Sequence, residues 1–362
     1  MSSGGSLAAP HITVIGGGVG GGKFLIGMRA ALRERYPDGA GGSQATLRAI
    51  VNTGDDMWLA GLRITPDLDS IMYALAGVND TVRGWGRVGE TERVSAELQA
   101  WGVGWPWFTL GDLDLGAHIS RSAWLREGVP LSEVVRRLTA RWPIGAELIP
   151  VTDDEVETHV VLDDASELHF QEWWTRHRAQ LAVRRFVQHG LDAAAPAPGV
   201  LDALAAADLI VLAPSNPVVS IGTTLAIPGV RAALLAASAP IIGVSPIIAG
   251  AVVRGMADAC LTAIGVETSA AAVARHYGAR EVGAREAGAP RASAGTATAP
   301  GDAAAGTAGL LNGWLVDEVD SGAVADLIAD GIPTRAVPLW MRDESTSAAI
   351  AAEVLAAGGL SR

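Results

Sequence analysis

His11-Ile12-Thr13-Val14-Ile15-Gly16-Gly17-Gly18-Val19-Gly20-Gly21-Gly22-Lys23 is the stretch that decides the fold of this 362-residue chain. Residues 11–15 are a β-branched run that stops at glycine, and residues 24–35 carry Leu, Ile, Met and Leu at helical spacing. A strand, a glycine turn and a helix in that order open a βαβ unit. Read from Gly16, the loop satisfies G-x-G-x-x-G, the dinucleotide fingerprint. Glycines let the backbone turn tightly and approach a phosphate, whose charge is met by N–H groups at the helix start. Read from Gly17, it is G-x-x-x-x-G-K, but Phe24 offers no hydroxyl for magnesium, which disfavours an ATPase loop. The second strand, residues 46–52, ends in Asn52 and not in a ribose-binding acid, which weakens an NAD reading. The bland alternative is a glycine turn that serves only close helix–sheet packing.

Outward from this loop the α/β pattern continues. The runs at 209–213 and 241–245 are apolar up to the closing Ser245, as in strands buried on both faces of a parallel sheet. The fold expected is α/β, a Rossmann-like three-layer parallel sheet with an inserted, mostly helical substrate subdomain. Its boundaries are a flexible N-terminus at 1–10, the nucleotide-binding core at 11–84 and a helical subdomain at 85–145. The core resumes at 146–280; an Ala/Gly-rich low-complexity insert follows at 281–309, and strands and a helix close the chain at 310–362.

A net charge of −12 argues against a general nucleic-acid or membrane-surface binder, since either needs basic patches. The single cysteine, Cys260, rules out an intramolecular disulfide framework or a cysteine-based zinc cluster. Residues 1–10 lack the basic and apolar regions of a signal peptide, and no apolar run reaches the ~18 residues of a spanning helix. A soluble, cytoplasmic protein is expected.

Asp55 and Asp56 follow the second strand, and Asp67 and Asp69 sit at the start of a helix some ten residues later. In an open α/β sheet, ligands bind at the carboxyl ends of the strands, where the glycine loop also lies. Carboxylates converging there suit Mg²⁺, which takes one or two of them plus phosphate oxygens. Each aspartate alone could simply cap a helix or turn. Asp112, Asp114 and His118 form a second acidic turn whose role the residues leave open. The turn Ser215-Asn216-Pro217 through Ser220 and Gly222 offers hydroxyl and amide groups for a base, ribose or phosphate. Among the Trp residues, Trp85, Trp101, Trp105 and Trp107 cluster in the helical stretch, with core packing the ordinary expectation.

Taken together, ITVIGGGVGGGKFLIG, VNTGDDMW, RITPDLDSIMYALAG, RGWG, GDLDLGAHISRS, ETHVV, HFQEWW, LAPSNPVVSIG, IPGVR, VSPIIAG and GMADACL closely resemble the 2-phospho-L-lactate transferase family of coenzyme F-420 biosynthesis, especially its actinobacterial phosphoenolpyruvate transferase branch. The resemblance runs from Ile12 to about Leu261. Leu113 and Ala117 depart from it, standing where the family has Arg and Thr.

The resemblance implies transfer from a guanylylated three-carbon acid, enolpyruvyl- or lactyl-diphosphoguanosine, to the ribityl hydroxyl of the deazaflavin Fo. GMP leaves, and dehydro-F-420-0 or F-420-0 is formed. It implies Mg²⁺ as cofactor, with Asp55 and Asp69 as metal ligands and catalytic residues. The implied binding set is Gly16, Gly17, Gly18, Gly20, Gly21, Lys23, Asn52, Asp56, Asp67, Asp112, His118, Ser215, Asn216, Ser220 and Gly222, around a GDP- or GMP-type nucleotide. A homodimer is implied as well. The alternative is a nucleotide-sugar-binding regulator of the same superfamily, without catalysis.

Overall fold

Alternation along strand β1 (His11–Gly16) sends Ile12 and Val14 to one face and Thr13 and Ile15 to the other, and all four are buried. A strand buried on both faces needs a layer of helices on each side. The computed structural model describes residues 9–280 and 308–360, so most of the 281–309 insert and of the 1–10 N-terminus lie outside the described residues.

The remaining strands of the main sheet are β2 (Thr46–Val51), β3 (Glu147–Pro150), β4 (Leu209–Leu212), β5 (Ile241–Val244), β6 (Gly313–Val316) and β7 (Thr334–Ala336). Their order is β7-β6-β5-β4-β1-β2-β3, and every pairing is parallel. This is the doubly wound order with one strand added at an edge. The chain leaves β1 toward β2 on one side and toward β4 on the other. The crevice at their carboxyl ends is where such sheets bind ligands.

Helix α1 (Gly18–Arg35), helix α2 (Pro66–Ala76) and the closing helix 344–357 cover one face, sharing a core with Ile12, Val14 and Val211. The other face packs Ile15, Ile50, Ile210 and Leu212 against Leu204, Val230 and Leu234. Between β2 and β3, residues 85–145 carry the helices Arg93–Ala100, α3 (Asp112–Arg126) and Leu131–Thr139.

One expectation needs correction. Not all of 146–280 belongs to the parallel core. Glu157–Leu162 pairs antiparallel with Glu167–His169 and Val183–His189 in a separate three-stranded sheet. Its strands alternate: Val160 and Phe186 point into the core while Glu157, His159 and His189 point away from it. A sheet with one apolar face packs as a flap on a core and does not enter a two-faced parallel sheet.

Among the described residues no single helix is long and apolar enough to cross a membrane.

Candidate active site

β1 ends at Gly16, Gly17 is extended, and Gly18 starts α1 at once with φ +62°. The helix thus begins at Gly18, inside the glycine run, and not at Phe24. A Cβ on Gly20 would lie 2.5 Å from the Pro214 carbonyl oxygen, and one on Gly22 3.1 Å from Ala74 Cβ. Gly20 to Gly22 therefore let α1 approach the end of β4 and helix α2. Close tertiary packing outweighs a helix propensity about 1 kcal/mol per residue poorer than alanine. The true turn is Gly16 to Gly18. Ser215 Oγ clamps it, accepting from Gly17 N at 3.0 Å and donating to Gly17 O at 2.9 Å.

Pro66 opens α2, its fixed φ suiting a first helical position, and Asp67 and Asp69 fall in the first turn. Asp67 is buried against the glycine turn. It accepts from Asn52 Nδ2 at 2.9 Å, from Ser220 Oγ at 3.4 Å and from the Gly18 backbone N–H. Its carboxylate therefore stands at the positive N-terminus of α1, part of the space a phosphate reading reserves for a ligand. Val19 and Gly20, first-turn residues whose N–H groups have no intrahelical acceptor, line the cleft beside it.

That cleft has a volume of about 360 Å³ and lies between the carboxyl ends of β1 and β4. It brings together Gly17, Gly18, Gly20, Lys23, Asp55, Asp67, Ser215, Asn216 and Ser220. Gly16 and Gly21 sit just behind, in packing range of Ser215, and Asn52 is buried beneath Asp67. Asn216 spends its Oδ1 on the N–H groups of Val218 and Val219, at 2.9 and 3.3 Å, and so shapes the next turn. Gly222 ends that turn outside the cleft lining, where a Cβ would meet the Pro217 carbonyl at 3.0 Å.

The four aspartates divide into two settings. Asp55 and Asp67 share the cleft. Burial, then the Asp67 charge, then Asp56 push the Asp55 carboxyl well above its usual range. Burial raises Asp67 to about 6, even though Asn52 and Ser220 oppose the shift. Asp55 Oδ1 is buried without a hydrogen-bond partner. Asp56 and Asp69 face the other way, toward arginines. Asp56 is raised by burial, and Arg63 and Arg121 offset part of that. Asp69 pairs with Arg121 Nη2 and accepts from Thr65 Oγ1 at 3.2 Å, with His118 Nδ1 3.6 Å away.

His118 and Asp114 belong to that inner cluster. His118 Nε2 lies 3.3 Å from Asp114 Oδ1, which also accepts from Tyr73 Oη at 2.7 Å. Asp112 is apart from both settings; it is exposed and ties α3 to Thr91 through its N–H at 3.0 Å and its hydroxyl at 2.8 Å.

Sequence reasoning missed Arg254 and Arg342 on the rim, along with Met256 and Trp340. Arg254 and Arg342 line the cleft with Trp174, Met256 and Trp340, and Lys23 Nζ donates to the Met341 carbonyl at 3.3 Å. Three cations on the lip of a pocket floored by two carboxylates suit an anionic ligand that arrives with a divalent cation. Arg254 directly precedes GMADACL, a stretch that carries part of the family resemblance, and Arg342 lies in the non-periodic segment before the closing helix. The tryptophans of the helical stretch depart from core packing: Trp85 and Trp101 are exposed, and half-buried Trp105 stacks on Trp107 at 4.6 Å and tilts toward His169, whereas Trp173 is core.

Comparison with known proteins agrees with this architecture. A family model described as 2-phospho-L-lactate transferase CofD matches residues 12–292. The phosphoenolpyruvate transferase of Thermobifida fusca is 49% identical over 344 residues, covering 94% of this chain and 95% of that one. That of Streptomyces griseus is 47% identical over 95% of this chain and 97% of its own, and that of Mycolicibacterium smegmatis 46% over 97% and 99%. Among solved structures, a member of the UPF0052 family from Bacillus halodurans superposes with a TM-score of 0.58 at 15% identity, over 97% of this chain and all of that one, which speaks to the fold. With the family model spanning most of the chain and relatives nearly half identical along their length, this chain belongs to the 2-phospho-L-lactate transferase CofD family and is a transferase.

Proposed function

We propose that the protein is a Mg²⁺-dependent phosphoenolpyruvate transferase of coenzyme F-420 biosynthesis, acting on the deazaflavin Fo with a guanylylated enolpyruvyl donor. The observation that carries this reading is the cleft itself. Two buried, mutually repelling carboxylates, one with an unpartnered oxygen, lie beside a helix N-terminus and beneath Lys23, Arg254 and Arg342. The near-half identity to phosphoenolpyruvate transferases supports the choice of three-carbon unit.

The residues fit a hard divalent ion. Asp55 Oδ1 has no other partner, and Asp67 needs no rearrangement to face the same space, so they form the proposed Mg²⁺ seat. Asp69, named with Asp55 by family likeness, would join only after parting from Arg121. The chemistry Mg²⁺ supplies when bound is neutralisation of diphosphate charge and a lowered hydroxyl pKa.

The chain's own residues do the rest. The first-turn amides of α1, Lys23 and Ser220 hold the donor's diphosphate, and Ser215, Asn216 and the turn to Gly222 support the GMP portion. The ribityl hydroxyl oxygen of Fo attacks the phosphorus bearing the enolpyruvyl group, and the bond to the GMP phosphate breaks. A cleft carboxylate, Asp55 first, orients the hydroxyl and takes its proton. Dehydro-F-420-0 and GMP leave. A cytoplasmic homodimer that binds neither nucleic acid nor membrane completes the proposal.

Incubation with Fo, Mg²⁺ and either the enolpyruvyl or the lactyl donor, read by GMP release and product mass, tests it. Preferential conversion of the enolpyruvyl donor is expected. Tight nucleotide binding with no product from either donor would point to a regulatory binding protein.

A further inference from the structure

We propose that His159, Glu167 and His189 form a second divalent-cation site, selective for a zinc-like ion and separate from the catalytic cleft. Pairing in the small antiparallel sheet puts them on one face: His159 opposes His169 and Val187, Val161 opposes Glu167, and Glu157 opposes His189. His159 Nδ1 lies 3.0 Å from Glu167 Oε1, and His189 Nε2 is in still closer contact with the same oxygen. One ligand atom from each of the three residues lies within 4.8 Å of the others. Two imidazoles and a carboxylate are a zinc ligand set with a fourth position left for water. Partial exposure of Glu167 and His189 gives an ion a way in.

A second observation concerns the far nitrogen of His159. A metal-bound imidazole keeps a proton on its other nitrogen and turns it to a carboxylate. Glu157 Oε2 stands 4.0 Å from His159 Nε2, beyond direct hydrogen-bond reach but close enough for its charge to favour a proton there, and Arg63 Nη1 holds Glu157 from behind at 2.5 Å. His169 is excluded although its ring abuts His159. Its Nδ1 already accepts from Gln171 N at 3.1 Å, which leaves the proton on Nε2 of the neutral ring. None of the three proposed ligands lines the cleft.

The test uses the full-length protein stripped of metal, then held in millimolar Mg²⁺ and GDP to fill the cleft. Zn²⁺ is titrated by calorimetry, and Co²⁺ substitution is followed by visible absorption. One equivalent of Zn²⁺ is expected, with an intense low-symmetry Co²⁺ band. His189→Ala and Glu167→Gln should each weaken Zn²⁺ binding at least about tenfold, while Mg²⁺-supported GMP release stays at the wild-type rate. No Zn²⁺ uptake against Mg²⁺, or uptake equal in the wild type and both variants, would overturn the proposal.

Discussion

Asn52 Nδ2 donates to Asp67 Oδ2 at 2.9 Å, so the residue that replaces a ribose-binding acid at the end of β2 instead orients a cleft carboxylate. The same side chain accepts from Gly54 N at 3.0 Å, which fixes the turn that carries Asp55. One buried amide thus sets the relation between the two acids proposed to hold Mg²⁺.

Removing that amide should loosen the metal seat. Asn52→Ala is expected to raise the Mg²⁺ concentration for half-maximal GMP release about 10–100-fold, the usual effect of losing a residue that orients metal ligands. It should also cost about 1–3 kcal/mol of stability, because the Gly54 N–H is left unpaired. Turnover measured against Mg²⁺ concentration, with a urea melt alongside, checks both.

The glycines of α1 should differ from a helical glycine elsewhere. Gly20→Ala drives a methyl to 2.5 Å from the Pro214 carbonyl and should destabilise by about 1–3 kcal/mol. Gly116→Ala, in α3, meets nothing and should stabilise by about 0.5–1 kcal/mol. Thermal unfolding of the two variants should show shifts of opposite sign.

Arg121 is buried with Asp69, so breaking the pair strands a charge. Arg121→Met is expected to cost about 3–5 kcal/mol, and adding Asp69→Leu should recover part of that loss. Urea denaturation of the single and double variants measures the coupling.

Stability without metal should fall as pH rises. Burial lifts Asp67 to about 6 and Asp55 well above the ordinary range, whereas both ionise near 4 in the unfolded chain. Between those values the folded state binds more protons than the unfolded one, so unfolding free energy decreases with pH. Melting temperatures in EDTA should drop from about pH 5 to about pH 7, and Mg²⁺ should restore the loss mainly at the higher pH. Asp67→Asn should flatten the decline.

The parallel-sheet half of the fold was legible because its signals are local. Residues 11–15 are a β-branched run and 209–213 a wholly apolar one, and glycine marks where β1 stops. The start of α1 was not, since the reason for helical Gly20 is the Pro214 carbonyl, just past the end of β4 and nearly two hundred residues away. Nor did the residue pattern alone separate Asp55 from Asp56; only the family resemblance did. They are adjacent, yet one faces a cleft and the other two arginines. Val183–His189 escaped notice because its outward face is charged and its apolar positions are few. Arg254 and Arg342 reach the cleft only through tertiary folding of loops that carry no periodic pattern.

The most direct measurement is single-turnover GMP release from the enolpyruvyl donor in the presence of Fo, comparing wild type with Asp55→Asn. The wild type should give GMP and the phosphodiester product in equal amounts, and none in EDTA. The variant should be at least about 100-fold slower with nucleotide affinity nearly unchanged. A variant that turns over at close to the wild-type rate, or a wild type equally active in EDTA, would contradict the account.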